Sequence, residues 1–283
     1  MTADFQVCFW GVRGSIACPG ARTLRYGGNT ACVEVRCGGH LLILDAGTGI
    51  RALGQQLNGQ GPLSADLFLT HVHYDHVEGL PFFQPAWRAG NALTVWAGDR
   101  DGGIHAELRR LMEAPFFPTP LDRLAASLRF CDFKAGETLA PAPGIAVRTA
   151  PLNHPNKASG YRIEYQGRSV CYVTDTEHPG QGLDPFVLDL VRGADVVIYD
   201  STYCDEDYPA HRGWGHSTWQ VGLRLCEQAG AGTFVAFHHD PDHDDEALDR
   251  IAAELERCRP GSLVAREGMT LRPGAATPLE CGT

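Results

Sequence analysis

Short apolar runs that end in turn residues recur along this chain. DFQVCFWGV (4–12) runs into a Gly/Pro loop, ACVEVRC and HLLILDAG flank Gly38 and Gly39, and GYRIEYQ and SVCYVTD flank Gly167 and Arg168. Runs of this length, rich in Val, Ile, Tyr and Phe and bounded by glycine, predict strands, and the two flanked pairs predict hairpins. Later the apolar spacing widens to that of helices. DPFVLDLVRGA precedes the strand-like DVVIYDST, STWQVGLRLCEQAG precedes TFVAFHHD, and DDEALDRIAAELERC precedes LVAREGMTLR, expected as a strand. The acidic start of that last helix suits its positive N-terminal end. Strands that meander first and then alternate with helices predict a mixed α/β layered protein.

Residues 101–127, DGGIHAELRRLMEAPFFPTPLDRLAAS, break the pattern and read as a helix, a proline-rich turn and a second helix. This insertion is expected to be a surface helical hairpin, a lid or a dimer contact, which leaves a homodimer open. His105 within it is expected to be a surface residue. With no repeat, low-complexity linker or clear boundary, 1–283 reads as a single domain.

Composition adds limits. Of 283 residues 43% are hydrophobic, enough for an ordinary core. No apolar run approaches the roughly 20 residues that span a bilayer. MTADFQVCFW lacks a basic segment followed by an apolar one, so a cytoplasmic protein is expected. The ten cysteines are scattered without a CxxC pair and are expected to be reduced thiols. A net charge of −10 with no Lys/Arg-rich run argues against long nucleic acid or membrane as a partner and for a small anion gripped locally.

The chemistry concentrates in LFLTHVHYDHVEGLPFF (67–83). ADLFLT reads as a buried strand, so HVHYDH starts where it ends. In extended backbone His71 and His73 point the same way, and a following helical turn swings Asp75 and His76 toward a neighbouring point. Imidazole with carboxylate suits zinc or a similar divalent ion, and the density of the motif favours a metal site over surface histidines. Four protein ligands are too few for two ions. Asp45, His154, Asp175 and His238 each end or follow an apolar strand and are the further candidates, although strand-terminal Asp often serves turns and His can be structural.

The set Asp45, His71-x-His73-x-Asp75-His76, His154, Asp175 and His238 resembles the metallo-β-lactamase superfamily in order and placement over nearly the whole chain. The resemblance implies an αββα sandwich, a four-layer fold of two mixed β-sheets flanked by helices, with a dinuclear site at one edge. It implies that His71, His73 and His154 hold one metal, that Asp75, His76 and His238 hold the other, that Asp175 bridges them and that Asp45 orients ligands. His239 is the alternative to His238. Zinc is expected; manganese, iron, cobalt or nickel would also suit nitrogen and oxygen ligands. An aspartate at 175 and a histidine at 73 look like the hydrolytic branches rather than the β-lactamases or flavodiiron oxidoreductases.

GWGHSTWQ (213–220) resembles tRNase Z and related phosphodiesterases, which implies that His216 contacts phosphate or protonates the leaving oxygen, while Ser217 or Thr218 caps the next helix. Arg13 in GVRGSIACPG and Asn29 in YGGNT lie in the region that abuts the metal site in such relatives. Arg13 is expected either to clamp a phosphate oxygen or to brace a glycine-rich turn. In tRNase Z a long insertion between the third and fourth motifs grips tRNA; here His154 and Asp175 are 21 positions apart, room for a hairpin only. The expected function is therefore a dinuclear metal-dependent hydrolase, a phosphodiesterase for a small or cyclic phosphodiester such as a cyclic nucleotide. Two metal ions would activate the attacking water, Asp75 would help position it, and His216 would protonate the leaving group. A lactone or carboxylic-ester hydrolase, or a non-enzymatic metal sensor, are the alternatives.

Overall fold

The computed structural model describes residues 5–275 and 279–280. Along the chain β1 (Phe5–Gly11), β2 (Cys32–Cys37) and β3 (His40–Leu44) precede helix α1 (Ile50–Leu57). Then come β4 (Ser64–Leu69), the single turn α2 (Tyr74–Val77), β5 (Ala92–Gly98), α3 (Gly103–Leu111), β6 (Ser127–Phe133) and β7 (Thr138–Leu139). β8 (Ile145–Leu152), β9 (Ala158–Tyr165) and β10 (Arg168–Val173) lead to α4 (Pro185–Val191), β11 (Val196–Asp200), α5 (Trp219–Ala229), β12 (Thr233–Phe237) and α6 (Asp245–Cys258). β13 (Leu263–Val264), β14 (Met269–Leu271) and β15 (Leu279–Glu280) close the chain.

These strands form two mixed sheets, ordered β15-β14-β1-β2-β3-β4-β5-β6 and β13-β12-β11-β10-β9-β8-β7. Both expected hairpins are present, β2 with β3 and β9 with β10, paired antiparallel. β3 to β6 run parallel in one sheet, and β10 to β13 run parallel in the other.

Alternation inside single strands builds the layers, because successive side chains leave opposite faces. In β3, Leu42 and Leu44 join Val7, Val33, Phe68, Val147, Tyr172 and Ile198 in the core between the sheets. Leu41 and Ile43 of the same strand point the other way, onto Ile50, Leu53, Ile104 and Leu108 of α1 and α3. β10 repeats the logic. Val170 and Tyr172 face the first sheet, whereas Cys171 and Val173 pack with Val187, Leu190, Leu225, Leu248 and Leu255 of α4, α5 and α6. Helix–sheet–sheet–helix layering follows from strands buried on both faces. The three late helices form where their spacing predicts them. Asp184, Thr218 and Asp244 cap them by accepting backbone N–H groups.

Three expectations change. Residues 101–127 hold one helix, α3, and then only a three-residue 3₁₀ turn, Leu121–Arg123. Pro115, Pro118 and Pro120 lack the N–H groups a second helix needs, and Ser127 already begins β6 beside β5. His105 is exposed there, its ring against Phe130. LVAREGMTLR is two strands in different sheets. β13 pairs with β12 and β14 with β1, and residues 265–268 cross the sandwich at Gly268, whose φ of +80° a side chain would strain. Cys8 is joined in a disulfide, while Cys18, Cys32, Cys37, Cys131, Cys171, Cys204, Cys226 and Cys258 are free thiols. Among the described residues no helix is long and apolar enough to cross a membrane.

Candidate metal centre

Parallel strands of both sheets release their carboxyl ends at one edge, and the chemistry sits on the residues that follow. Asp45 follows β3, His71 follows β4, Asp175 follows β10, Asp200 ends β11 and His238 follows β12. Asp45, Asp175 and His238 turn there in the left-handed region, at φ of 59°, 59° and 61°. Such a backbone costs on the order of 1–3 kcal/mol per residue, so the surrounding contacts must enforce it.

Four donor atoms face one another at the centre. Nε2 of His76 lies 3.1 Å from Asp175 Oδ2, 3.2 Å from Asp75 Oδ2 and 3.3 Å from Nε2 of His238. Nε2 of His238 lies 3.3 Å from both carboxylate oxygens. Ligands about 2.0–2.1 Å from a tetrahedral ion stand about 3.3–3.4 Å apart, so these edges fit one divalent ion. His71, His73 and His154 form a second triad, with Nε2 of His154 3.1 Å from Nδ1 of His73. Asp175 Oδ1 faces it, 3.8 Å from Nε2 of His71 and 3.7 Å from that of His154. One carboxylate thus turns an oxygen to each group.

Outer hydrogen bonds fix which nitrogen points inward. A carboxylate only accepts, so His76 Nδ1–H donates to Asp45 Oδ2 (2.8 Å) and leaves Nε2 a lone pair. His154 Nδ1–H donates to the Gly215 carbonyl (2.8 Å) with the same result. His71 Nδ1 meets Thr70 Oγ1 at 3.0 Å and His238 Nδ1 meets Thr202 Oγ1 at 3.1 Å. Asp45 is fully buried and also accepts from Thr70 N–H (2.8 Å) and Tyr172 O–H (2.9 Å). With Nδ1–H turned outward, His76 adds one more acceptor to the inward oxygens of Asp75 and Asp175. Their mutual repulsion calls for a cation, and Nε2 of buried His71 has no hydrogen-bond partner. The donor set therefore fits metal.

The electrostatics agree. Burial and the neighbouring His76 drive the His71 imidazole well below its usual range. Burial opposes charge on His76 too, but Asp175, Asp75 and Asp45 outweigh it and raise that imidazole well above 6.5, so a proton on Nε2 and a metal ion compete to answer the same carboxylates. Burial would lift the Asp175 carboxyl; His238, His76 and His71 hold it far below the ordinary range instead.

Beside this cluster His216, 8% exposed, sets Nδ1 2.9 Å from Asp200 Oδ2 and 4.0 Å from Asp175 Oδ1. Burial disfavours its charged form, yet Asp200 pushes it up to about 9. Asp200 is not among the residues expected from sequence, although VVIYD carries the same strand-end signal as the runs before Asp45 and Asp175. Glu177 accepts from Gly213 N–H (2.8 Å) and Gly215 N–H (3.0 Å) and so ties down the loop that carries His216.

Of the other expected residues, His238 joins the cluster and His239 does not. Nε2 of His239 bonds the Ala265 carbonyl at 2.8 Å, and burial pushes its imidazole down to about 3. The N-terminal loop does reach the centre, through backbone. Ser15 N–H donates to Asp75 Oδ2 (2.8 Å), and a Cβ on Gly14 would lie 2.3 Å from the His238 ring. The side chains of Arg13 and Asn29 do not come with it. Arg13 is fully buried, and its guanidinium bonds the carbonyls of Gly27 (2.8 Å), Asp240 (3.1 Å) and His243 (2.5 Å). These carbonyls occupy Nε and Nη1, and Nη2 is buried without a partner, so no part of the fork is open to a phosphate. Asn29 Nδ2 donates to Glu267 Oε2 (3.0 Å) and braces the crossing between the sheets.

Comparison with known proteins matches residues 40–239 to the β-lactamase superfamily domain. Ribonuclease Z of Haloarcula marismortui is 21% identical over 86% of this chain and 91% of its own. Ribonuclease Z of Mycolicibacterium paratuberculosis is 30% identical over 82% and 84%. The metallo-β-lactamase fold protein YhfI of Bacillus subtilis superposes with a TM-score of 0.73 at 18% identity, covering 95% of this chain and 99% of that one. Relatives named as ribonucleases overturn the expectation that long nucleic acid is not a partner. Net charge sums the whole surface, whereas phosphate is held by the few cations that stand near it.

Proposed function

The chain belongs to the β-lactamase superfamily, and from that premise we propose that it is a dinuclear metal-dependent hydrolase of phosphodiester bonds. One observation carries the reading. Asp175 divides its two oxygens between a His71/His73/His154 group and an Asp75/His76/His238 group, as a bridging ligand would. Those residues would hold two divalent ions, with zinc the first choice for this donor set. When bound, such ions acidify water and neutralise charge on the attacked phosphoryl oxygens.

The chain's own residues do the rest. Asp45, Thr70 and Thr202 aim imidazole lone pairs inward. Asp75, 6% exposed and fixed by the Ser15 amide, would help orient the attacking water. His216, charged through Asp200, would give its proton from Nε2 to the departing oxygen, since Nδ1 is committed to the carboxylate. His73 and His154 are the more exposed ligands, so substrate would approach over them. Only the β9–β10 hairpin separates His154 from Asp175, which suits small and cyclic phosphodiesters. RNA stands beside them because of the ribonuclease relatives.

The test is a panel on one metal-loaded preparation: bis(p-nitrophenyl) phosphate, cyclic nucleotides, a 3′-extended RNA, a lactone and a β-lactam. Phosphodiester cleavage that His216→Ala cripples supports the reading. Lactone cleavage that His216→Ala spares, without phosphodiester cleavage, makes the protein an ester hydrolase, and no turnover of any substrate favours a metal-binding sensor.

A further inference from the structure

A cavity of about 370 Å³ opens beside His154 and is lined by Arg100, Lys134 and Lys157. The chain has only two lysines, and both stand here. Arg100 follows β5 and Lys134 follows β6, so the cavity continues the row of parallel-strand carboxyl ends on which the metal centre lies. Lys157 comes from the β8–β9 turn, three residues after His154. There Asn156 and Lys157 both take the left-handed backbone, at φ of 64° and 68°. Two consecutive non-glycine residues in that region are strained, and the contacts that hold them include Asn156, whose carboxamide lies 3.2 Å from Nε2 of His73. The strained turn thus presents a metal ligand's neighbour and a lysine together.

The cations are unspent. Arg22, Arg25, Arg36, Arg148, Arg162 and Arg168 each pair with a carboxylate. Arg100, Lys134 and Lys157 form no ion pair among the described residues. Arg100 spends only Nε, on the Gly98 carbonyl at 3.1 Å. The one acid in the lining is Asp99, so three positive charges face one negative in a chain whose net charge is −10. Asn153 and Ser159 supply further polar groups to the wall.

We propose that this cavity is an anion subsite that receives a second phosphate of the substrate, next to the phosphodiester cleaved at the metal centre. The substrate class is then a nucleotide chain or dinucleotide carrying a phosphate beyond the scissile one, rather than an isolated phosphodiester. This rests on the phosphodiesterase reading. It also explains how an acidic protein accepts a polyanion, through three local charges instead of a basic face.

The test compares UpU, pUpU, UpUp and bis(p-nitrophenyl) phosphate as substrates of the metal-loaded enzyme, with Lys134→Gln/Lys157→Gln and Arg100→Gln as variants and Arg100→Lys as the conservative control. Charge-assisted contacts predict that a terminal phosphate raises kcat/KM over UpU by about 10- to 100-fold, mainly through KM. The 5′ and 3′ phosphate arms tell which flanking group enters. The double lysine variant should bring that preference near unity, with a far smaller change on bis(p-nitrophenyl) phosphate. It should also flatten the dependence of log kcat/KM on log salt by about one for each lysine that meets a phosphate. Calorimetric binding of the preferred dinucleotide to the metal-free protein should weaken in parallel, and Arg100→Lys should hold where Arg100→Gln fails. No phosphate preference in the wild type, or an equal loss on UpU and the phosphorylated dinucleotides in the variants, overturns the subsite. A wild type that binds pUpU or UpUp in a lysine-dependent way but cleaves no phosphodiester keeps the subsite and overturns the reaction.

Discussion

Replacing Asp200 with Asn separates proton delivery from metal binding. The Asp200 carboxylate lies 2.9 Å from His216 Nδ1 and lifts that imidazole from 6.5 to about 9 against the opposing pull of burial. That lift is worth roughly 3 kcal/mol in favour of the charged form. The sign is that of a raised histidine: the proton is held below the elevated value and lost as pH rises through it. At pH 8 about nine-tenths of His216 is protonated with the carboxylate present; without it burial is opposed only by Asp175 and Asp75, and an imidazole back at 6.5 would be only about 3% protonated. Bound cations lower both values by repulsion, so the difference between wild type and variant is the quantity to read. Asp200→Asn keeps the shape, and an oxygen to accept from Thr202 N–H, while removing the charge. The assay is kcat/KM against pH for two leaving groups. A ribose alkoxide needs the proton, and its basic limb should move down by about two units, a loss of roughly 30-fold at pH 8. p-Nitrophenolate leaves without a proton and should lose little. Equal losses on both substrates, or a basic limb that does not move, refute the role of the pair in proton transfer.

Other expectations concern the cage itself. Gly14→Ala would place a Cβ 2.3 Å from the ring of His238, so the ring must shift and metal content should fall from about two ions per chain to about one with circular dichroism unchanged; two retained ions would show the loop yielding instead. Tyr172→Phe removes the O–H that donates to Asp45 at 2.9 Å, a loss of about 1 kcal/mol that should lower the Tm of the metal-free protein by roughly 2–4 °C. The same change should weaken metal binding less than tenfold, because His76 keeps its own bond to Asp45; an unchanged Tm would mean that this hydroxyl carries no weight in the site.

The strand-end residues were legible because the sequence itself marks where an apolar run stops, and in a sheet of parallel strands those stops share one edge. Asp45, Asp175 and His238 were found that way, and the period-two spacing of His71 and His73 brought them to one side. Asp200 carried the same mark but stands 16 positions from His216, its partner, with nothing in the local sequence to join them. Arg13 and Asn29 show the opposite limit. Sequence placed their loop beside the centre, but the direction of a side chain depends on the carbonyls and carboxylates that fold against it. Arg100, Lys134 and Lys157 come from three separate segments, and an overall charge of −10 conceals their convergence. The division of LVAREGMTLR between two sheets was hidden for a related reason, since an extended run does not reveal which neighbour each half will pair with.

Metal analysis of the wild type beside Asp175→Ala, with bis(p-nitrophenyl) phosphate hydrolysis followed on the same samples, bears most directly on the central claim. The account predicts about two divalent ions per wild-type chain, activity that chelation abolishes and divalent metal restores, and at most one ion with no hydrolysis when the shared carboxylate is removed. A wild type that binds no metal, or an Asp175→Ala protein that keeps both ions and full activity, contradicts it.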